Sequence, residues 1–395
     1  MVWGAPLLIL LVGAGIYFFF LLKGLPILQL KRALRYSFTN DHPPGEGEIS
    51  HFQALMTTLA ATIGVGTVAG VGTAISLGGI GSVFWMSLVG LIGMSTKYVE
   101  ALLAVRFRVI HEDGSVSGGP MYYLKRGLGF NRLATFFAAC GSIAAIGTGN
   151  LVQAHACADV VNKAFSVNPW IVGCVLFLMV FFVLIGGIIW IGKVVSFLVP
   201  MMALMYLSIA SFALFRYIDN FFPAVEQIFQ AAFSGQAAFG GFLGGSVFMA
   251  IQEGISKGVF SNESGLGSAP IACAAAKCDR PSRQALIAMT GTFFTVIMTT
   301  LTGIVIVASG VFGQFDPSGE LLSEANLTIR AFSGGSQSIE YLLYLGLFLF
   351  AYSTIVGWSY YGEKCIEFIF GKRIIKPYRI IFAILVIPGA ANIMR

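Results

Sequence analysis

Two stretches of this sequence put glycines and charges where an apolar helix has no use for them. The first, Gly64-Val65-Gly66-Thr67-Val68-Ala69-Gly70-Val71-Gly72, holds four glycines in nine residues. The second contains Gly254, Gly258, Gly265 and Gly267 and sets Lys257 and Glu263 inside an apolar span. Glycine lets a backbone leave helical geometry at little steric cost. In lipid, the N–H and C=O groups freed by such a break cost several kcal/mol each unless protein, water or a ligand satisfies them. A broken helix at mid-membrane depth therefore points to a binding site. The amides that open one half-helix can hold a carboxylate, and the carbonyls that close the other can hold a cation. The competing reading of Gly66 and Gly70 is a small-xxx-small pair for close helix packing. A dinucleotide loop is rejected, because the GxGxxG spacing and a preceding strand are lacking.

Other chemistries find little support. The histidines, at 42, 51, 111 and 155, are scattered, so neither a metal site nor a nucleophile–base pair assembles from them. The cysteines (140, 157, 174, 273, 278 and 365) lack zinc-type spacing, and five lie in or beside apolar segments as small buried hydrophobes. A membrane-embedded enzyme is disfavoured on these grounds. A channel would ask for a continuous polar pore. The chain is 57% hydrophobic and 11% charged, where a soluble domain carries about 25% charged residues. Its solvent is lipid. The net charge of +6 does not indicate a nucleic-acid partner, because the basic residues sit in short loops between apolar spans.

A spanning helix needs about 20 mostly apolar residues. Ten segments approach that length, at roughly 3–22, 52–77, 79–105, 132–158, 169–190, 193–217, 240–272, 285–311, 338–363 and 376–394. No positive charge precedes the first and no small-residue cleavage site follows it, so it reads as a retained helix rather than a signal peptide. With the N-terminus outside, 18 of the 24 basic residues fall in inside loops, in keeping with the positive-inside rule. Lys364 is counted among these, whereas Asp316, Glu320 and Glu324 mark an outside loop.

Setting the first span aside, the two interrupted helices come first and sixth. Five is odd, so two five-helix halves would cross in opposite senses, as in inverted-repeat carriers. The expected domain is one carrier over 1–395, with an extra first helix and basic loop (1–50), a first repeat (51–217) and an incomplete second (218–395). Five plus five plus one demands eleven helices, so a C-terminal helix is expected to be missing.

The sequence resembles the alanine or glycine:cation symporter family of the amino acid–polyamine–cation group, whose fold is LeuT-like. The resemblance runs from about Gly45 onward. It is carried by Ile49 to Thr57, Gly78 to Met86, Ser117 to Tyr122, Phe260 to Pro270 and Gly357 to Glu363. It implies an all-α integral membrane protein that takes up alanine or glycine with sodium as coupling ion. No other cofactor is implied, and the setting would be a multi-pass monomer in the cytoplasmic membrane. The sequence departs from the family pattern at Thr67, where Asn is usual, and at Val65, where a small polar residue is common. Ser87 and His155 stand where Trp and Asn are expected.

Roles follow from both readings. The amides around Gly64, Val65, Gly66 and Thr67, helped by the Thr67 hydroxyl, are expected to hold the substrate carboxylate. Phe260 and Trp358 would wall the side-chain pocket beside Ser261, and Asn150 and Gln153 would reach the amine unless they tie helices together. The fold resemblance places sodium among the carbonyls of Ala60 and Ile63 and the hydroxyls of Ser353 and Thr354. Lys257 and Glu263 would pair with charges near an inside gate, and Lys97 and Glu100, three apart, would neutralise each other. The alternatives are a proton-coupled or other-substrate carrier of the same fold and, further off, a channel.

Overall fold

The computed structural model describes residues 4–39, 45–234, 247–315, 321–322 and 324–392. Asp316, Glu320, the start of the expected seventh span and residues 393–395 lie outside these. Each of the ten expected segments contains helix, and those at 52–77 and 240–272 are interrupted, at Ile63–Gly64 and at Glu263–Ser268. The chain opens with α1 (Ala5–Leu21) and the short helices α2 (Leu25–Leu28) and α3 (Leu30–Phe38). The first interrupted helix follows as α4 (His51–Thr62) and α5 (Val65–Gly78), then α6 (Ser82–Arg106). A capping box starts α4: the Ser50 hydroxyl accepts from the Gln53 amide at 3.1 Å, and the Gln53 side chain accepts from the Ser50 amide at 2.9 Å. These bonds satisfy two donors that a helix start would leave open.

A two-stranded hairpin, β1 (Val109–Ile110) and β2 (Val116–Ser117), leads to α7 (Pro120–Leu128). Next come α8 (Asn131–Ile146) and α9 (Val152–Phe165), joined through a π-helical turn at Gly147–Leu151. Helices α10 (Pro169–Ile185), α11 (Gly187–Arg216) and α12 (Phe221–Ser234) follow. The second interrupted helix is α13 (Val247–Asn262) and α14 (Ala269–Ala274), followed by α15 (Pro281–Ser309) and α16 (Glu324–Ser333). The chain continues through α17 (Gln337–Phe370), α18 (Ile375–Ile384) and α19 (Val386–Ala390). Among the described residues, six helical stretches are long and apolar enough to cross a membrane, with α4–α5 and α8–α9 each counted as one.

The interrupted helices and α6 and α15 pack into one bundle, and α17 lies along α4, α8 and α9 beside it. Small residues set the close approaches. A Cβ on Gly254 would sit 2.5 Å from the Ser82 carbonyl oxygen, and one on Gly258 the same distance from Val89. It is this pair, four apart, that seats α13 on α6 as a small-xxx-small contact. Gly70 has nothing within 4 Å of its absent Cβ, and Gly66 faces Phe260, so Gly66 and Gly70 do not form such a contact.

Candidate functional site

The first break is two residues wide. The Ile63 amide still bonds the Leu59 carbonyl at 2.7 Å, and the Thr67 amide opens α5 by bonding the Gly64 carbonyl at 3.0 Å. Between them, the amides of Gly64, Val65 and Gly66 find no acceptor among the described residues, and no side chain caps α5. The positive end of α5 thus presents three free donors, a ready anion site. The Thr67 hydroxyl is spent across the break on the Thr62 carbonyl, at 3.1 Å.

The second break runs from Glu263 to Ser268. Gly265 and Gly267 take positive φ, and so does Glu263 at 52°. Two buried charges on α6 grip this segment: Lys97 donates to the Glu263 carbonyl at 3.0 Å, and the Gly267 amide donates to the Glu100 carboxylate at 3.1 Å. Lys97 and Glu100 therefore do not close on each other as the sequence spacing implied; each holds main chain that the break has freed. The Glu263 carboxylate accepts from the Ser268 hydroxyl at 2.6 Å and lies beside Trp358 of α17, and it forms no ion pair with another charge among the described residues.

Two contacts join the breaks, and a third ties α17 to the first of them. The Ser261 hydroxyl donates to that of Thr67 at 3.5 Å, and a Cβ on Gly66 would lie 3.1 Å from the Phe260 ring. On the other side, Gly357 lets α17 approach the main chain of Ala61, to which a Cβ there would come within 2.9 Å. That approach brings the Thr354 and Ser353 hydroxyls to the Ala60 carbonyl, at 3.1 and 3.4 Å, while both also bond Phe350. Ile63 closes α4 two residues before the free amide of Val65.

A cavity of about 370 Å³ opens between these pieces. Gly64, Gly66, Gln153, Phe260, Ser261, Thr354 and Trp358 line it, and so do Thr62, Glu263, Ser268 and Tyr361. The volume lies at the lower end of small-ligand sites. The Gln153 carbonyl oxygen is buried there without a partner. Asn150 is not among the lining residues: its amide donates to the Phe382 carbonyl at 2.6 Å and ties α18 to the π-helical turn. Val65, Thr67, Ser353, Ala60 and Ile63 stand behind the lining. Phe260 is 45% exposed, so this wall is open on one side.

The sequence model of the sodium:alanine symporter family matches residues 1–395. The chain belongs to that family. It is 45% identical to the sodium/alanine symporter AgcS of Methanococcus maripaludis, over 98% of this chain and 86% of that protein. It is 32% identical to the Bacillus subtilis protein named "Probable sodium/glutamine symporter GlnT", over all of this chain and 81% of the relative. Its fold matches a Na+-coupled sialic acid symporter at a TM-score of 0.62, covering 97% of this chain and 82% of the other at 11% identity. It also matches MhsT, solved in complex with L-phenylalanine, at 0.57, covering 88% and 81% at 13% identity. The fold is LeuT-like, and the family is one of sodium-coupled amino acid symporters, not enzymes.

For such a carrier the two ends of the site matter as much as its floor. At the basic end, Lys277 bonds the Ile49 carbonyl through its amide at 2.8 Å, joining α14 to the start of α4. Arg108 locks the junction by donating to the carbonyls of Ala274, Ala276 and Glu46 at 3.1, 2.8 and 2.6 Å. At the opposite end, Thr328 of α16 donates to the Val68 carbonyl at 3.1 Å. The main chains come so close there that a Cβ on Gly72 would collide with the Glu324 carbonyl. The hairpin is strapped to α17, where Ser117 donates to Glu367 at 3.0 Å. Lys364, expected in a loop, lies buried in α17 and pairs with Glu367 at 2.8 Å. Lys372 and Ser115 hold the exposed Asp113 carboxyl well below its usual range, whereas burial raises that of Glu48.

Sequence reasoning missed Glu263, Ser268, Thr62 and Tyr361 as lining residues. Glu263 carried a signal, an ionisable side chain in an apolar span, but the positive φ at which it meets Ser268 is not readable from residue type. The grip of Lys97 and Glu100 on the second break had no signal beyond their presence in a span.

Proposed function

We propose that this chain carries alanine or glycine into the cell with sodium, by alternating access. The single observation that supports this best is the meeting of Thr354, Ala60 and Gly64. A cation held by the Ala60 and Ile63 carbonyls with the Ser353 and Thr354 hydroxyls would lie against the amides of Gly64, Val65 and Gly66. The substrate carboxylate would take those amides, so each ligand would strengthen the field that holds the other. Gln153 would accept from the amine, and Phe260, Ser261 and Trp358 would bound the side chain. Asn150 and Thr67 would serve by holding the frame.

The printed name of AgcS supports alanine and sodium for this chain. The basic loops support a cytoplasmic-membrane setting with the N-terminus outside, and an inward sodium gradient would drive inward transport. One carrier domain over 1–395, with halves 51–217 and 218–395 related by inversion and active as a monomer, fits two breaks five helices apart. A larger neutral side chain is the second reading, favoured by the open side of the cavity at Phe260 and by the name of GlnT. The test is uptake of radiolabelled alanine, glycine and glutamine into proteoliposomes under a sodium gradient, a proton gradient or neither. Accumulation of alanine or glycine only with inward sodium is expected. Accumulation driven by protons alone would overturn the coupling, and glutamine alone accumulating would overturn the substrate.

A further inference from the structure

We propose that Glu263 is the charge partner of the substrate's ammonium group, an inference that rests on the amino acid reading above. Glu263 is one of five non-glycine residues at positive φ among the described residues, and of those five it is the buried one, at 4% exposure. Glycine would hold the turn with less strain, so the side chain is what the position retains. Its carboxylate lines the cavity, between Ser268, which donates to one oxygen at 2.6 Å, and the Trp358 side chain.

The charge balance around it is incomplete. Lys97 faces both Glu263 and Glu100, and all three are buried. The Lys97 ammonium donates to a main-chain carbonyl, and no carboxylate lies within ion-pair distance of it among the described residues. One Glu100 oxygen is buried without a partner. With both carboxyls ionised, two carboxylates against one ammonium would leave this buried cluster beneath the cavity one positive charge short, a costly state in a membrane interior that a bound cation relieves. An amino acid whose carboxylate sits on the Gly64–Gly66 amides brings that missing charge. Gly64, Gly66 and Glu263 line one cavity, and the Ser261–Thr67 bond joins the segments that carry them. Ser268 and Lys97 act as positioning residues, fixing the carboxylate and the main chain beneath it. The partner class is an α-amino acid zwitterion, and a 2-hydroxy acid of the same shape is rejected for lacking the ammonium. A site built for a charged donor discriminates strongly against an analogue without it.

The test is equilibrium binding to the purified chain in saturating sodium. Radiolabelled alanine, glycine and glutamine are the probes, and L-lactate competes as the hydroxyl analogue of alanine. The readout is the alanine-to-lactate affinity ratio within one preparation, which a loss of folded protein does not move. Wild type is expected to prefer alanine at least 100-fold, and Glu263→Gln to narrow the ratio to below tenfold, chiefly by losing alanine. Glu263→Asp, which keeps the charge but withdraws it by one methylene, is expected to fall between, and it replaces Glu263→Gln should that variant not fold. An unchanged ratio overturns the proposal, as does a change confined to sodium half-saturation, which would assign the charge to the ion. If wild type binds amino acids and the ratio stays, this inference alone fails. If wild type binds no amino acid, the functional reading fails and takes the inference with it.

Discussion

Gly64→Ala tests the link between the two halves of the site. Gly64 has φ −110° and ψ −167°, which alanine adopts freely, so the change adds a methyl group without backbone strain. That methyl would lie 2.6 Å from the Thr354 hydroxyl oxygen, against the 3.4 Å where ordinary contact begins. The hydroxyl must swing away, losing its bonds to Ala60 and Phe350 at 3.1 and 2.9 Å. Overpacking of this kind costs about 1–3 kcal/mol. If sodium needs Thr354 in place, that cost appears in sodium binding, and at about 1.4 kcal/mol per tenfold it weakens sodium by about 5- to 140-fold. The assay is the sodium concentration for half-maximal alanine uptake, measured for wild type, Gly64→Ala, Thr354→Ala and the double variant. Because Thr354→Ala removes the oxygen that clashes, the double variant should be no worse than Thr354→Ala alone, a non-additivity expected of residues in contact. Additive losses, or a rise in the alanine KM with sodium dependence intact, would refute the reasoning.

Three further outcomes are expected. Arg108→Ala should free the ends of α4 and α14 that it joins and speed maleimide labelling of Cys278, which is 6% exposed and 3.7 Å from the guanidinium, by tenfold or more; an unchanged rate would remove Arg108 as a latch. Gly149→Ala should cripple uptake, because its Cβ would meet that of Trp358 at 2.5 Å and push this wall into the cavity; a shift of less than twofold in the alanine KM would place the wall elsewhere. Burial raises the Glu48 carboxyl above 4.5, so the native state resists its ionisation and loses stability as the pH climbs from there through the raised value. Glu48→Gln, which can still accept from the Val116 amide, should therefore melt higher than wild type at pH 8 and equally at pH 4, and a gap that persists at pH 4 would contradict this cause.

The breaks were legible because glycine and charge inside an apolar span have few uses, and both fall where the residues placed them, at Gly64 and after Asn262. The Thr354–Ala60 contact was legible only through the fold resemblance, since the two lie 294 residues apart. The helices α7, α12 and α16 outside the expected spans were not legible, their apolar faces being too short for a spanning signal. The π-helical turn at Gly147–Leu151 was hidden for another reason: Thr148 and Asn150 read as ordinary helix, and the close approach of Gly149 to Trp358 joins residues far apart in sequence. That turn decides which of Asn150 and Gln153 reaches the cavity. Lys97 and Glu100 looked like a neutral pair because their spacing suits one, whereas the freed main chain of the second break outbids that contact.

The central claim is that sodium and the amino acid are held by opposite ends of one broken helix, and reciprocal binding tests it most directly. Sodium affinity would be titrated on the purified protein with and without alanine, and alanine affinity with and without sodium, by calorimetry in a choline background. Equilibrium coupling must be symmetric. Each ligand is predicted to tighten the other by the same factor, tenfold or more, and Thr354→Ala to reduce both factors together. Alanine binding that is indifferent to sodium would contradict the account.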